Sequence, residues 1–511
     1  MESPEIGPVA ASPADLPARP DLRTQADLRA PDDLRASDDL PDQVRDPGAG
    51  PRKGQFLELQ VSDLAYGGKA LAKVSGLVVF VENALPGDRV LARVTRRRRQ
   101  YAEARAERVL VPSPSRVPAP CSHVPICGGC RFQDFDYEEQ LRHKQRQVEE
   151  CLAHLGRLRS SGRPILAATK LFHYRNKMEY SFGRDDQGRL TLGLHRRGFY
   201  DRPFDLERCF IATPVSSEIV AFAREFARRE DLPPYDLRRH QGLLRFLVVR
   251  EGIRTGEVMV NIVASEPHPA FERLAAGLRE AFPSVASVVL NLTRRKAQVA
   301  VGDEERVLAG KPTILERLGG LTFEVSSNSF FQTNTEQAEK LLEFALDALA
   351  LTGSERVLDV YAGTGTFTLP LARRASEAIG IESSDIAVRD AERNAARNGI
   401  TNARFWKGEA LEVLRDRLGL GARDAAVSVE RPEVHAVLVD PPRAGLHPGV
   451  VSRLIHLGAP RLVYISCNPS TLGRDLGLLC ESRYEIDWIQ PVDMFPHTPH
   501  IECVAALRRT V

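Results

Sequence analysis

The segment Val357-Leu-Asp-Val-Tyr-Ala-Gly-Thr-Gly-Thr-Phe-Thr368 constrains the fold of this chain more than any other. A short apolar strand runs into Gly363 and Gly365, whose missing side chains allow a ligand to approach the backbone, and then into a helix starting near Phe367. From Leu341 the texture of helix, strand and Gly-containing turn repeats to the C-terminus, which predicts a doubly wound α/β domain on a mostly parallel sheet. The loop lacks the third glycine of a dinucleotide fingerprint, which disfavours NAD. No Gly-Lys-Ser/Thr follows it, which excludes a standard P-loop.

Three further strand ends reach the same edge of that sheet. Ala378-Ile-Gly-Ile-Glu382 ends in a carboxylate 23 residues after Asp359, where an acid accepts hydrogen bonds from both ribose hydroxyls of an adenine nucleoside. With a two-glycine loop in place of a pyrophosphate cradle, this pair favours S-adenosylmethionine. The strand Val434–Asp440 opens into Pro441-Pro442-Arg443, where two prolines remove backbone donors and stiffen an apolar edge suited to a ligand. An aromatic residue after the prolines would suggest methylation of a base amino group; Arg443 stands there instead. The strand Arg461–Ser466 delivers Cys467-Asn468-Pro469. A cysteine there is either a packing thiol or a nucleophile, and its company at this edge favours the nucleophile. Finally, Asp493-Met-Phe-Pro-His497-Thr-Pro-His500-Ile-Glu502 supplies a carboxylate after a proline-stiffened loop, so Glu502 is a candidate general base. His497 and His500, set between prolines, cannot share a helical face as a metal pair and read as loop structure or a substrate contact.

Upstream, Phe56–Val61, Val78–Val81 and Val90–Val94 alternate and are separated by Gly and Pro turns, the pattern of a small antiparallel barrel. Arg96-Arg-Arg-Arg99 at its end reads as a phosphate contact or a charged hairpin facing water. Four prolines at 112–120 form a linker, a helix is expected from Tyr137 to about Leu158, and a mixed region with strands at Leu243–Val249 and Val258–Val263 runs to about residue 320. The first 53 residues repeat Asp-Leu every six positions, which fits neither helix nor strand; they read as a disordered, solvated tail. That tail carries eleven acids against seven bases, so the formal charge of +2 conceals a body more basic than the whole. No apolar run approaches the ~20 residues that cross a bilayer, and the N-terminal segment holds no basic stretch followed by an apolar one, which argues against secretion. The reading is cytoplasmic, with no membrane partner.

Eight cysteines are too few for a disulfide scaffold in a chain of this length, yet Cys121, Cys127 and Cys130 crowd into ten positions, with Cys209 downstream. Four thiolates suit either tetrahedral zinc or a cubane iron–sulfur cluster. Cys151, Cys480 and Cys503 lack partners at ligand spacing and read as packing residues.

Phe330-Phe-Gln-Thr-Asn334, Leu358-Asp-Val-Tyr-Ala-Gly363, Asp440-Pro-Pro-Arg443, Ser466-Cys-Asn-Pro469 and Phe495–Glu502 occur in an order and spacing that resemble the RNA uracil-5 methyltransferase family, from about residue 54 to the end. The resemblance implies a Rossmann-like class I α/β methyltransferase domain at 321–511 and a TRAM-type, OB-like RNA-binding barrel at 54–112. Between them it implies a central α+β iron–sulfur and substrate domain at 116–320, whose helix near 137–158 is a candidate to pack on the catalytic domain; the tail at 1–53 is left uncovered. It implies S-adenosylmethionine contacts at Gln332, Tyr361, Glu382, Glu409 and Asp440, a nucleophile at Cys467 and a base at Glu502. It also implies a [4Fe-4S] cluster on Cys121, Cys127, Cys130 and Cys209, and an RNA contact or solvated strand at Tyr174-Arg-Asn-Lys177. The expected product is 5-methyluridine in 23S ribosomal RNA, made by a monomer, with transfer RNA as the alternative substrate. Two other readings stand beside it: a non-catalytic RNA-binding iron–sulfur protein, and methylation of cytosine carbon 5.

Overall fold

A computed structural model describes residues 50–158, 162–420 and 433–510. The Asp-Leu repeat at 15–40 lies outside the described residues.

The N-terminal sheet has six strands in the order Phe56–Gln60, Arg89–Arg97, Tyr101–Val111, Leu77–Glu82, Ala70–Val74, Asp63–Leu64. Alternation drives it: Leu59, Val79, Val81, Val90, Ala92 and Ala102 turn inward, and Phe132 and Phe135 from the cysteine segment fill the same core. The sheet is not wholly antiparallel as expected, because Leu77–Glu82 runs parallel to Tyr101–Val111. Buried Asp88 ties this unit to the linker, accepting from Leu85 N, Ser113 N and the Arg116 guanidinium.

The central sheet orders Glu304–Gly310, Val285–Leu292, Glu257–Ala264, Leu244–Gly252, Lys177–Arg184 and Leu190–Gly193. Helices Pro214–Arg229 and Ala270–Ala281 bury Ile219, Phe226, Phe271 and Leu278 in its core.

The C-terminal sheet has seven strands in the order Ala403–Lys407, Glu377–Glu382, Arg356–Val360, Ala436–Val439, Arg461–Ser466, Glu502–Arg509, Tyr484–Val492. The first five pair in parallel and Glu502–Arg509 runs antiparallel to both neighbours. Strand order reverses beside Arg356–Val360, the switch point at which such sheets bind ligands. The helix after the glycine loop starts beside Phe367, as expected, and covers Thr368–Ala372.

Helix Tyr137–Leu155 starts at Asp136, whose side chain accepts from Glu138 N and Glu139 N. It packs on helix Pro469–Cys480 across glycines: a Cβ on Gly473 would stand 2.7 Å from Cys151 O, and one on Gly156 2.6 Å from Gly473 O. Its Val148 and Leu152 thereby join the catalytic core. Among the described residues no helix is long and apolar enough to cross a membrane.

Candidate active site

The register of the last strands brings Cys467 and Glu502 together. Ser466 pairs with Cys503 across strands Arg461–Ser466 and Glu502–Arg509, so the next step places Cys467 opposite Glu502 at the carboxyl edge of the sheet. Asp440 ends the adjacent strand at the same edge. Burial, then the charge of Asp440, pushes the Glu502 carboxyl well above its ordinary range, while Arg443 pulls it down. The Cys467 thiol is pushed up to about 11 by burial, Glu502 and Asp440, again opposed by Arg443. Asn468 braces this junction: its Oδ1 accepts Ser470 N at 3.1 Å, capping the following helix, and its Nδ2 donates to Arg443 O at 2.9 Å.

The glycine loop forms a second half of the site. Gly363 and Gly365 have φ of 55° and 82°, and Tyr361, at 77°, shares this left-handed conformation. Gly363 N and Ser384 N donate to the two Glu382 carboxylate oxygens at 3.0 and 2.7 Å, fixing the carboxylate before any ligand arrives. Buried Asp359 accepts Thr368 Oγ1 at 2.6 Å, its other oxygen has no partner, and burial followed by the Glu382 charge pushes it up to about 7. Gln332 Nε2 donates to Asp440 Oδ2 at 3.5 Å, and Asp440 is also pushed up to about 7, by burial and Asp359. Glu409, before helix Ala410–Arg417, lies close enough to Tyr361 to help burial raise its phenol to about 12. A fixed carboxylate for ribose hydroxyls, an open glycine turn and polar groups beside it fit an adenosyl ligand.

Residues 268–510 match the tRNA (uracil-5-)-methyltransferase family, and residues 52–106 match the TRAM domain. An uncharacterized RNA methyltransferase of Chlorobaculum tepidum is 39% identical over 90% of this chain and 97% of its own length. One from Halalkalibacterium halodurans is 36% identical over 89% and 97%. The chain belongs to the RNA uracil-5 methyltransferase family. The solved structure of Pyrococcus abyssi tRNA (uracil-54, C5)-methyltransferase in complex with S-adenosyl-L-homocysteine is similar to it, at 31% identity and a TM-score of 0.69, over 88% of this chain and all of that one.

In this S-adenosylmethionine-dependent RNA methyltransferase, Cys121, Cys127, Cys130 and Cys209 line one cavity of about 620 Å³, together with Arg175 and Phe330. Burial raises all four thiols, and the Cys130 thiol, at about 12, also feels Cys209, Cys127 and Cys121. Among the described residues, no three His, Cys, Asp or Glu side chains are grouped closely enough to hold a metal ion. The donor set, four free cysteines on one cavity with Gly128 and Gly129 between two of them, nonetheless suits a thiolate-bound centre.

Tyr174-Arg-Asn-Lys177 is not a solvated strand throughout: Arg175 and Lys177 are half-buried and line the cysteine cavity. Tyr174 and Asn176 are buried: the Tyr174 hydroxyl donates to Pro496 O, and Asn176 Nδ2 donates to Gln332 O and Thr335 Oγ1. The segment brackets the loop before Glu502 and the Gln332 segment from inside. His497 is buried, and His500 Nδ1 lies 3.3 Å from Arg443 Nη2; neither joins a metal group. Cys503 and Cys151 are buried and Cys480 half-buried, as packing residues are.

Sequence reasoning gave Arg443 no part in setting protonation and gave helix Tyr137–Leu155 no functional side chains. Lys144 Nζ donates to Asp493 Oδ1 at 2.6 Å with both groups buried, and Tyr137 donates to the same carboxylate at 2.9 Å. His497 N donates to Gln140 Oε1 at 3.0 Å. The signal was present as polar residues at helical spacing, Gln140, Lys144 and Gln147, on the buried face.

Proposed function

We propose that this enzyme converts a uridine in 23S ribosomal RNA to 5-methyluridine, with Cys467 as nucleophile and Glu502 as base. The observation that carries this reading is the antiparallel register setting Cys467 opposite Glu502 beside Asp440. Carbon 5 of uracil is a poor nucleophile, so the Cys467 thiolate adds to carbon 6 and drives electron density onto carbon 5 as an enolate. S-adenosylmethionine, when bound, supplies the methyl group as an electrophile to that carbon. Glu502, as carboxylate, then takes the carbon 5 proton; the C5–C6 double bond re-forms and expels the thiolate. Arg443 supports both steps by favouring the charged forms of Cys467 and Glu502.

Glu382 would hold the ribose hydroxyls, with Gln332, Tyr361, Glu409 and Asp440 lining the rest of the cofactor site. Because ring atoms are inaccessible in stacked RNA, the target nucleotide is turned out toward Cys467, with Pro441-Pro442 as a wall. Cys121, Cys127, Cys130 and Cys209 would hold a [4Fe-4S] cluster in a structural role, tying the cysteine loop to the segment before helix Pro214–Arg229. Eight free cysteines support a reducing, cytoplasmic setting, and we read the enzyme as a monomer.

Transfer RNA is the second reading, favoured by the likeness to the Pyrococcus abyssi tRNA (uracil-54, C5)-methyltransferase. Mapping 5-methyluridine by mass spectrometry in ribosomal and transfer RNA of a deletion strain decides between them: loss at one 23S position is expected, and loss confined to transfer RNA would overturn the ribosomal assignment. For the cluster, anaerobically purified protein should hold about four iron atoms per chain; stoichiometric zinc without iron would contradict it.

A further inference from the structure

The cavity in front of Cys467, about 350 Å³, is not closed by the catalytic domain alone. Tyr66 and Gly67 of the N-terminal barrel line it, alongside Arg131, Arg443, Asn468 and His500. They belong to the turn between strands Asp63–Leu64 and Ala70–Val74. The Tyr66 hydroxyl donates to Asn468 Oδ1 at 3.0 Å, and Asn468 is the residue after the nucleophile. The same oxygen caps helix Pro469–Cys480, so one side chain joins the barrel, the nucleophile's helix and, through its amide nitrogen, the Arg443 carbonyl.

The turn is seated rather than suspended. Arg131 Nη1 donates to Gly67 O at 3.3 Å, and Gly68, with φ of 83°, comes so close that a Cβ would stand 2.9 Å from Pro499 and 3.2 Å from the Phe132 ring. Only glycine meets both conditions. Tyr66 nevertheless keeps 38% of its surface exposed although its hydroxyl is engaged. Burial and then the neighbouring thiols Cys151 and Cys467 push the phenol up to about 12, which leaves it a neutral donor at pH 7.

An aromatic face that is open to a cavity, anchored at its polar end and carried on an RNA-binding module has the form of a stacking platform for an unstacked base. We propose that Tyr66 is a substrate-positioning residue: the uracil turned out toward Cys467 stacks on its ring, and the barrel thereby forms one wall of the catalytic cavity. A barrel that acts only as a remote RNA tether would place no side chain there. The proposal rests on the uracil-5 reading with Cys467 as nucleophile.

The test uses full-length protein, S-adenosylmethionine and RNA carrying 5-fluorouridine at the target, which blocks loss of the carbon 5 substituent so that the Cys467 adduct accumulates. The adduct rate at saturating RNA is compared with RNA affinity from fluorescence anisotropy. Tyr66→Ala should form adduct about 10- to 100-fold more slowly while affinity stays within about threefold, and Tyr66→Phe, which keeps the ring, should stay within about fivefold of wild type. A wild-type adduct rate in Tyr66→Ala, or a defect that vanishes at saturating RNA, would overturn the proposal. So would Tyr66→Phe falling as far as Tyr66→Ala, since the hydrogen bond to Asn468 would then be the whole effect. If wild-type enzyme forms no adduct, the Cys467 reading itself fails and the proposal with it.

Discussion

Arg443 acts on Cys467 and Glu502 in one direction, lowering the proton affinity that burial and neighbouring carboxylates raise in both. Replacing it with methionine removes that opposition, so the thiol moves further above about 11 and the thiolate fraction at neutral pH falls. The rate of adduct formation should drop about tenfold at pH 7 per pKa unit gained and recover as pH rises, displacing the profile to the alkaline side. An undisplaced profile would contradict this role. Glu382 makes a separate prediction: its carboxylate is already fixed by Gly363 N and Ser384 N, and Glu382→Ala should weaken S-adenosylmethionine binding about 10- to 100-fold by calorimetry without RNA. Affinity unchanged from wild type would remove Glu382 from the cofactor site. The placement of Cys467, Glu502 and Glu382 at one sheet edge was legible in the sequence because each sits at or beside a strand end, where the α/β alternation fixes its edge. Tyr66 was not, because its partner Asn468 lies 402 residues away and nothing local encodes that contact.

Helix Tyr137–Leu155 shows how an element outside the catalytic sheet can set the site. Its start at Tyr137 was readable from periodicity, and it ends at Leu155 with Gly156 as its cap rather than near Leu158; its buried polar stripe becomes meaningful only against the loop that precedes Glu502. Lys144, Tyr137 and Gln140 hold Asp493 and His497, and the cysteine loop adds Arg131 N and Phe132 N donating to His497 O at 2.8 and 3.1 Å. His497 takes a left-handed φ of 64°, a strained conformation for a non-glycine residue that these partners over-determine. Lys144→Met leaves Asp493 buried without its cation and should cost about 3–5 kcal/mol in denaturant unfolding. A loss below about 1 kcal/mol would mean that the pair is not a structural anchor. Elsewhere the elements departed from their patterns for physical reasons. The barrel acquired a parallel pair because Tyr101–Val111 inserts between Arg89–Arg97 and Leu77–Glu82, and Tyr174 and Asn176 turned inward because their polar ends have partners in the loops near Pro496 and Gln332.

At the scale of the molecule, the three large sheets among the described residues succeed one another along the chain as the barrel, mixed and α/β textures do. What the sequence does not encode locally is that the units meet at one edge. The barrel turn, the cysteine loop, helix Tyr137–Leu155 and the last strands all converge within a few residues of Cys467 and Glu502. The same convergence makes the covalent route directly testable. With an RNA substrate and S-adenosylmethionine, Glu502→Gln should accumulate a covalent protein–RNA species carrying the methylated base, because the carbon 5 proton can no longer be removed, and Cys467→Ala in the same background should abolish it. The decisive measurement is nucleoside mass spectrometry of RNA treated with Cys467→Ala: no 5-methyluridine above the no-enzyme control is expected, and 5-methyluridine formed at a rate near wild type would contradict the covalent mechanism.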